Sequence, residues 1–271
     1  MNPSPDARTI RAVIFDLDDT LYDCLTQCVG PAHREAAKAM VEAGARATVE
    51  AVLDARLALS GLERDVDGAV AATFRSVQPM RVAEAGRRAF YDRDPGRIVP
   101  FPFAQEVVRR VRAVARVVLI SSGHPPTQRR KIAALGLEGA FDEIVLDEAL
   151  GRPAKEEVLR RWLAQAGLPA ATVLVVGDRP DNEIAAAQRI GMHALRIRGG
   201  EFAARPTPPG VAEAADARSV LAWLGLPPIE EAAGPAAPDA QGSSPTQATS
   251  LPSAPDAQLP PPAEESPPPH A

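Results

Sequence analysis

The chain has 271 residues, 45% apolar and 24% charged, enough for a sizeable buried core and too mixed in pattern for a collagen, a coiled coil or a disulfide miniprotein. Lys and Arg number 30 against 35 Asp and Glu, a formal net charge of -5. Six of those acids and no Lys or Arg fall in 227–271, so the remainder sums to about +1, and neither part carries the positive excess of a nucleic-acid binder.

The N-terminus, MNPSPDARTI, lacks the basic and apolar regions of a signal peptide, and the longest apolar runs are strand-sized, so no membrane span is expected. AVIF at 12–15 reads as a buried strand ending at Asp16. Cys24 and Cys28, the only cysteines, have no histidines clustered near them in sequence and are expected as reduced thiols without a ligand role, which suits a cytoplasmic location. From Val29 to Tyr91 the apolar period becomes helical, and helices are expected over 29–44, 48–59, 65–77 and 79–91. This block is a helical insertion.

Beyond Pro100 strands and helices alternate. Helices are expected over 103–113, 125–135, 155–166, 181–190 and 215–224, and strands over 117–121, 143–146, 172–176 and 193–197. The order argues an α/β core with a mainly parallel, Rossmann-like sheet. Residues 227–271 hold 13 of the 28 prolines and almost nothing apolar enough to form a core. This tail is expected to be disordered, with LPPPAEE and SPPPH as polyproline-II stretches that could recruit a protein partner weakly. The expected division is a core of 10–24 and 98–226, a cap of 25–97 and the tail.

The chemistry gathers at strand ends. Asp16, Asp18 and Asp19 follow the first strand, at the carboxyl edge where an open α/β sheet binds ligands. Close carboxylates repel unless a cation or a shared proton holds them, so a divalent cation is the economical explanation. TVLVVGDRPDNE ends a second apolar strand at Gly177-Asp178, with Asp181 and Glu183 beyond, and a parallel neighbour would bring Asp178 beside Asp16. Oxygen ligands suit Mg²⁺. Ser121, Ser122 and Gly123 form a strand-to-helix turn whose hydroxyl and amides could hold phosphate oxygens, or simply cap the helix. Lys155, one of three lysines with Lys38 and Lys131, could neutralise a phosphate and a nucleophilic carboxylate.

With these elements in order, residues 10–226 resemble the haloacid dehalogenase superfamily of hydrolases. The carrying motifs are FDLDDTLYD at 15–23, Ser121 in LISSG, and GDRPDNEIAAAQRIG at 177–191. The resemblance implies a Rossmann-like core with a helical cap inserted after the first motif, and phosphatase chemistry on a small phosphorylated metabolite. It implies Asp16 as nucleophile and Asp18 as general acid/base, with Ser121 and the motif-three base on the phosphoryl oxygens. Thr20, Ser122, Gly123 and Arg152 are the further phosphate-side residues. Mg²⁺ would bind Asp16, the backbone carbonyl of Asp18 and Asp178, with Glu183, or Asp181 in its stead, orienting the metal-bound water or Lys155.

The chain departs from the family pattern at the third motif, where Arg152-Pro153 stands for Lys-Pro and Lys155 lies two residues further on. Either could supply the charge, and Lys155 is favoured. Asp18 disfavours carbon–halogen hydrolysis within the resemblance. A sugar or nucleotide monophosphate is the expected substrate class, with a phosphosugar mutase or a non-catalytic scaffold using the tail as alternatives. Tyr22, Gln27, His33, Arg75, Gln78 and Arg81, at or near the cap boundaries, are candidates for substrate contact.

Overall fold

The computed structural model describes residues 10–60, 65–147 and 154–229. Six parallel strands form its sheet: β1 (Ala12–Phe15), β2 (Arg116–Ser122), β3 (Glu143–Asp147), β4 (Val173–Gly177), β5 (His193–Ile197) and β6 (Ala212–Ala214), in the order β3-β2-β1-β4-β5-β6. The chain leaves β1 and returns first on one side, as β2, and later on the other, as β4, so the carboxyl end of β1 lies at the topological switch point.

Every residue of β1 and β4 is buried, because each strand is covered on both faces and so reads as a continuous apolar run. Val13 and Phe15 pack with α5 (Ala104–Arg112) and α9 (Val220–Trp223). Ala12 and Ile14 pack on the other face with α7 (Ala154–Ala166) and α8 (Ala185–Ile190). A helix α6 (Pro125–Ala134) follows β2 directly and starts on prolines, which need no donor in a first helical turn.

The insertion consists of α1 (Gly30–Glu42), α2 (Val49–Leu59), α3 (Val66–Thr73) and α4 (Pro79–Tyr91), around Met40, Val52, Val70 and Val82. The Arg56–Asp67 ion pair is buried within it. Two connections join it to the core, and Gln27 clasps them, donating to the Val99 carbonyl at 3.0 Å and accepting from the Val99 amide at 2.8 Å.

Several boundaries differ from expectation. Leu25–Val29 form a π-helical turn ahead of α1, and Pro180–Ile184 form another ahead of α8, so both expected helices begin in a wider turn. The expected helix over 215–224 is a short 3-10 turn, Ala217–Ser219, followed by α9. Strand β6 was not expected: AEA has no β-branched or aromatic residue and is held by pairing to β5. The core also runs slightly past residue 226, since Arg110 donates to the carbonyls of Pro227 and Pro228 and Ile229 packs against the core. Most of the expected tail lies outside the described residues.

Candidate active site

Strand register assembles the site. Asp16 continues β1, its amide donating to the Val176 carbonyl at 2.8 Å, and β4 ends one residue before Asp178. Both carboxylates border one cavity of about 150 Å³, together with Asp18, Asp19 and Ser122. Lys155, from the first turn of α7, reaches beneath them. Its ammonium is fully buried and donates to Asp16 Oδ1 at 2.8 Å and to the Ile120 carbonyl at 2.7 Å. Arg152, the other motif-three candidate, lies outside the described residues.

Glu183 approaches from behind. Its carboxylate accepts from the Arg179 amide at 2.7 Å, and it passes so close to Gly177 that a Cβ there would stand 2.5 Å from Glu183 Oε1. The glycine is required by that approach. Burial, with Glu183, Asp16 and Asp19 nearby, pushes the Asp178 carboxyl up to about 9. Burial and Asp16 push Glu183 up to about 7 against the pull of Lys155.

Such shifts report uncompensated negative charge. A cation fits on three grounds: the donors are oxygens, Asp178 and Asp16 border a shared space, and Glu183 Oε2 is buried without a hydrogen-bond partner among the described residues. Among the described residues no three Asp, Glu, His or Cys side chains converge into a closed metal cage. Two carboxylates and a main-chain carbonyl suit a hard ion that keeps several waters, as Mg²⁺ does.

Asp18 faces the other way. Tyr22 donates to its Oδ1 at 2.6 Å, Lys131 Nζ lies 3.0 Å from both carboxylate oxygens, and Gln128 donates to Oδ2 at 3.3 Å. Burial alone would raise this carboxyl, but Lys131 and the three donors outweigh it and hold it below the usual range. The Asp18 side chain is thus held by α6. Lys131 and Gln128 were not singled out for this role from sequence. Their three-residue spacing on α6, and the scarcity of lysine in the chain, were the available signals.

The other expected residues are placed unequally. Ser122 borders the cavity, while Ser121 lies behind it, its hydroxyl engaged by Gln128 at 2.5 Å. Gly123 borders a second cavity of about 210 Å³ between cap and core, which shares Asp18, Cys24, Val29 and Ser122 with the first. Thr20 is fully buried and borders neither. Asp19, with a positive φ of 52°, ties the turn after β1 to the loop after β5: it accepts from the Leu25 and Glu201 amides and fills the space beside Gly200 that a Cβ would need. Among the candidates for substrate contact, Gln27 serves the linkers, His33 is buried against Phe90, and Arg75, Gln78 and Arg81 are exposed.

Carboxylates at the ends of two adjacent parallel strands, a buried lysine under one of them and a helical cap over the edge define a capped α/β hydrolase with an aspartate-centred site. The profile of the haloacid dehalogenase-like hydrolases matches residues 10–191, and the chain belongs to that family. It is 28% identical to the glyceraldehyde 3-phosphate phosphatase of Methanocaldococcus jannaschii over 71% of this chain and 87% of that protein. It is 29% identical to the protein of the same name from Methanopyrus kandleri, over 71% and 86%. Among solved structures, the HAD-hydrolase YfnB from Bacillus subtilis, bound to magnesium, superimposes with a TM-score of 0.59 at 17% identity, covering 80% of this chain and 99% of that one. That likeness establishes the fold.

Proposed function

We propose that the chain hydrolyses a small phosphomonoester of the sugar phosphate or nucleotide class with Mg²⁺, through an aspartyl-phosphate on Asp16. The observation that carries this reading is the Lys155–Asp16 contact at the switch point, inside a cluster of carboxylates whose negative charge calls for a cation. The names of the archaeal relatives favour a phosphate ester of a few carbons, and the cap cavity of about 210 Å³ suits one. The working division is a core of 10–24 and 98–226 under a cap of 25–97.

Asp16 would attack phosphorus as the ester P–O bond breaks, and protonated Asp18 would give its proton to the leaving oxygen. Asp18, now the carboxylate, would take a proton from the water that attacks the phosphoryl group, releasing phosphate and restoring Asp16. Lys155 holds Asp16 in place and offers positive charge, and Ser122 would offer a donor to the phosphoryl oxygens, with Ser121 held behind it by Gln128. Asp16, Asp178 and the carbonyl of Asp18 would hold Mg²⁺, with Glu183 behind them. The ion supplies charge neutralisation to the transferring phosphoryl group.

The test is phosphate release from a panel of sugar phosphates, nucleotides and small phosphate esters, with Mg²⁺ or EDTA. Release that depends on Mg²⁺ and disappears in Asp16→Asn supports the proposal. Silence across the panel from cooperatively folded protein sinks it.

A further inference from the structure

The two cavities differ in charge. Asp16, Asp18, Asp19 and Asp178 border the first. The second opens from it on the cap side, and its charged lining side chains are Asp18, Lys131 and Arg93. Lys131 and Asp18 face each other at 3.0 Å and offset one another. Arg93 remains. It stands just after α4, half-buried, with no hydrogen bond or ion pair among the described residues. Glu35, within its electrostatic reach, is exposed and already paired with Lys38 at 2.8 Å.

Cap and core meet around this guanidinium. Thr127 of α6 donates to the Tyr91 carbonyl at the end of α4 at 3.0 Å, which closes the cavity beside Arg93. Val29, Ala32 and Phe90 make the adjoining wall apolar. A cation half removed from water, beside an apolar wall and with no ion pair among the described residues, its neighbours Asp92 and Asp94 being exposed, is a receptor for an anionic group on a ligand. One net positive charge matches a monoanion, and the planar guanidinium fork matches a carboxylate. A phosphate dianion would leave excess negative charge next to Asp18.

We propose that Arg93 is a specificity residue that binds a carboxylate at the end of the substrate remote from the scissile phosphate. The substrate class is then a small phosphorylated carboxylic acid. This rests on the phosphatase reading and moves its substrate class from sugar phosphates and nucleotides to phosphorylated acids. The phosphate lies over Asp16, a short carbon chain crosses Asp18 and Ser122, and the carboxylate lies against Arg93. A site built to pair a charged group discriminates strongly against the analogue lacking it, because its own cation is then left desolvated and unpaired.

The experiment compares 3-phosphoglycerate, glyceraldehyde 3-phosphate and glycerol 3-phosphate, which share a three-carbon skeleton and a phosphate and differ at the far carbon as acid, aldehyde and alcohol. The expected result is a kcat/KM at least about tenfold higher for the acid, expressed in KM, as befits one charge-assisted contact. Arg93→Gln should remove that preference by raising KM for the acid, and Arg93→Lys should restore part of it. An aldehyde or alcohol used as well as the acid, or an acid preference that survives Arg93→Gln, overturns the proposal and leaves the phosphatase reading standing. Absence of Mg²⁺-dependent release from all three and from p-nitrophenyl phosphate, in protein that melts cooperatively, overturns both.

Discussion

Lys131 on α6 places its ammonium 3.0 Å from each carboxylate oxygen of Asp18, a residue 113 positions earlier in the chain. The pair favours Asp18 as the anion, the form that takes a proton from water in the second step, and makes the protonated form that the first step uses the minor one. Lys131→Met removes the dominant lowering influence and leaves burial to raise the Asp18 carboxyl. Where attack of water limits turnover, the rising limb of the pH–rate profile should therefore move to higher pH and kcat on the acid side should fall. Steady-state rates between pH 5 and 9 would show it, and an unshifted limb would remove Lys131 from control of Asp18.

The carboxylate cluster predicts how metal and pH act on stability. Asp178 and Glu183 are raised to about 9 and about 7, so the metal-free folded state binds protons that the unfolded chain has already lost. That contribution is complete below the ordinary carboxylate range and is lost as pH rises through about 7 and then about 9. In EDTA the melting temperature should fall between pH 6 and 9. Saturating Mg²⁺ should flatten that decline, adding about 2.7 kcal/mol at a hundred times its Kd. The increment should grow with pH and vanish in Asp178→Asn. Thermal melts with and without Mg²⁺ decide it, and a pH-independent increment would count against these two carboxyls as its source.

The residues of this site were unequally visible in the sequence. Asp16 and Asp178 could be placed because an apolar run followed by a carboxylate marks the ligand-binding edge of a parallel sheet, and adjacency of two such strands brings the carboxylates together. Lys155 stood out as a rare lysine in an arginine-rich chain. By the same reasoning Lys131 could have been weighed, but α6 is polar along most of its length and its inward face shows only once β2 is packed beside it. The cap's helical period was plain, whereas the π-helical turns at Leu25–Val29 and Pro180–Ile184 leave no periodic mark. Nothing in the sequence marks Arg93, since its having no ion pair among the described residues is a property of the packed structure.

Arg196 should matter for stability more than its place outside the chemistry suggests. Fully buried at the end of β5, it donates to the carbonyls of Phe202 and Arg205, each at 2.7 Å, and to the Thr207 hydroxyl at 2.5 Å. It thereby holds the loop that carries Phe202, against which Arg179 and Arg205 both stack. Arg196→Met fills the space but leaves those acceptors without their donor. A loss of about 3 kcal/mol is expected, roughly 6–12 °C in Tm for a domain of this size. Asp178 borders the same cavity as Phe202, so Mg²⁺ affinity should fall as well. A melting temperature within a degree of the parent would show that the loop is held by its other contacts.

His33 gives the cap an acid-sensitive element. Its ring packs edge-on against Phe90 with centroids 4.9 Å apart, and Nδ1 is buried without a partner among the described residues. Burial, helped by Arg56, lowers its pKa from 6.5 to about 4. The unfolded chain therefore binds a proton that the folded cap refuses between about pH 6.5 and 4, and stability falls as pH drops through that window. At pH 5 the penalty is about 2 kcal/mol relative to pH 7. His33→Leu removes both the titration and the unsatisfied nitrogen, and it gives up an aromatic contact worth about 0.5–1.5 kcal/mol. Near neutrality the variant should match the parent to within about 1 kcal/mol. At pH 5 it should be the more stable protein, and urea unfolding at the two pH values measures the crossover. Parallel pH dependence in the two proteins would mean that the folded cap admits the proton, contrary to the burial seen around this ring.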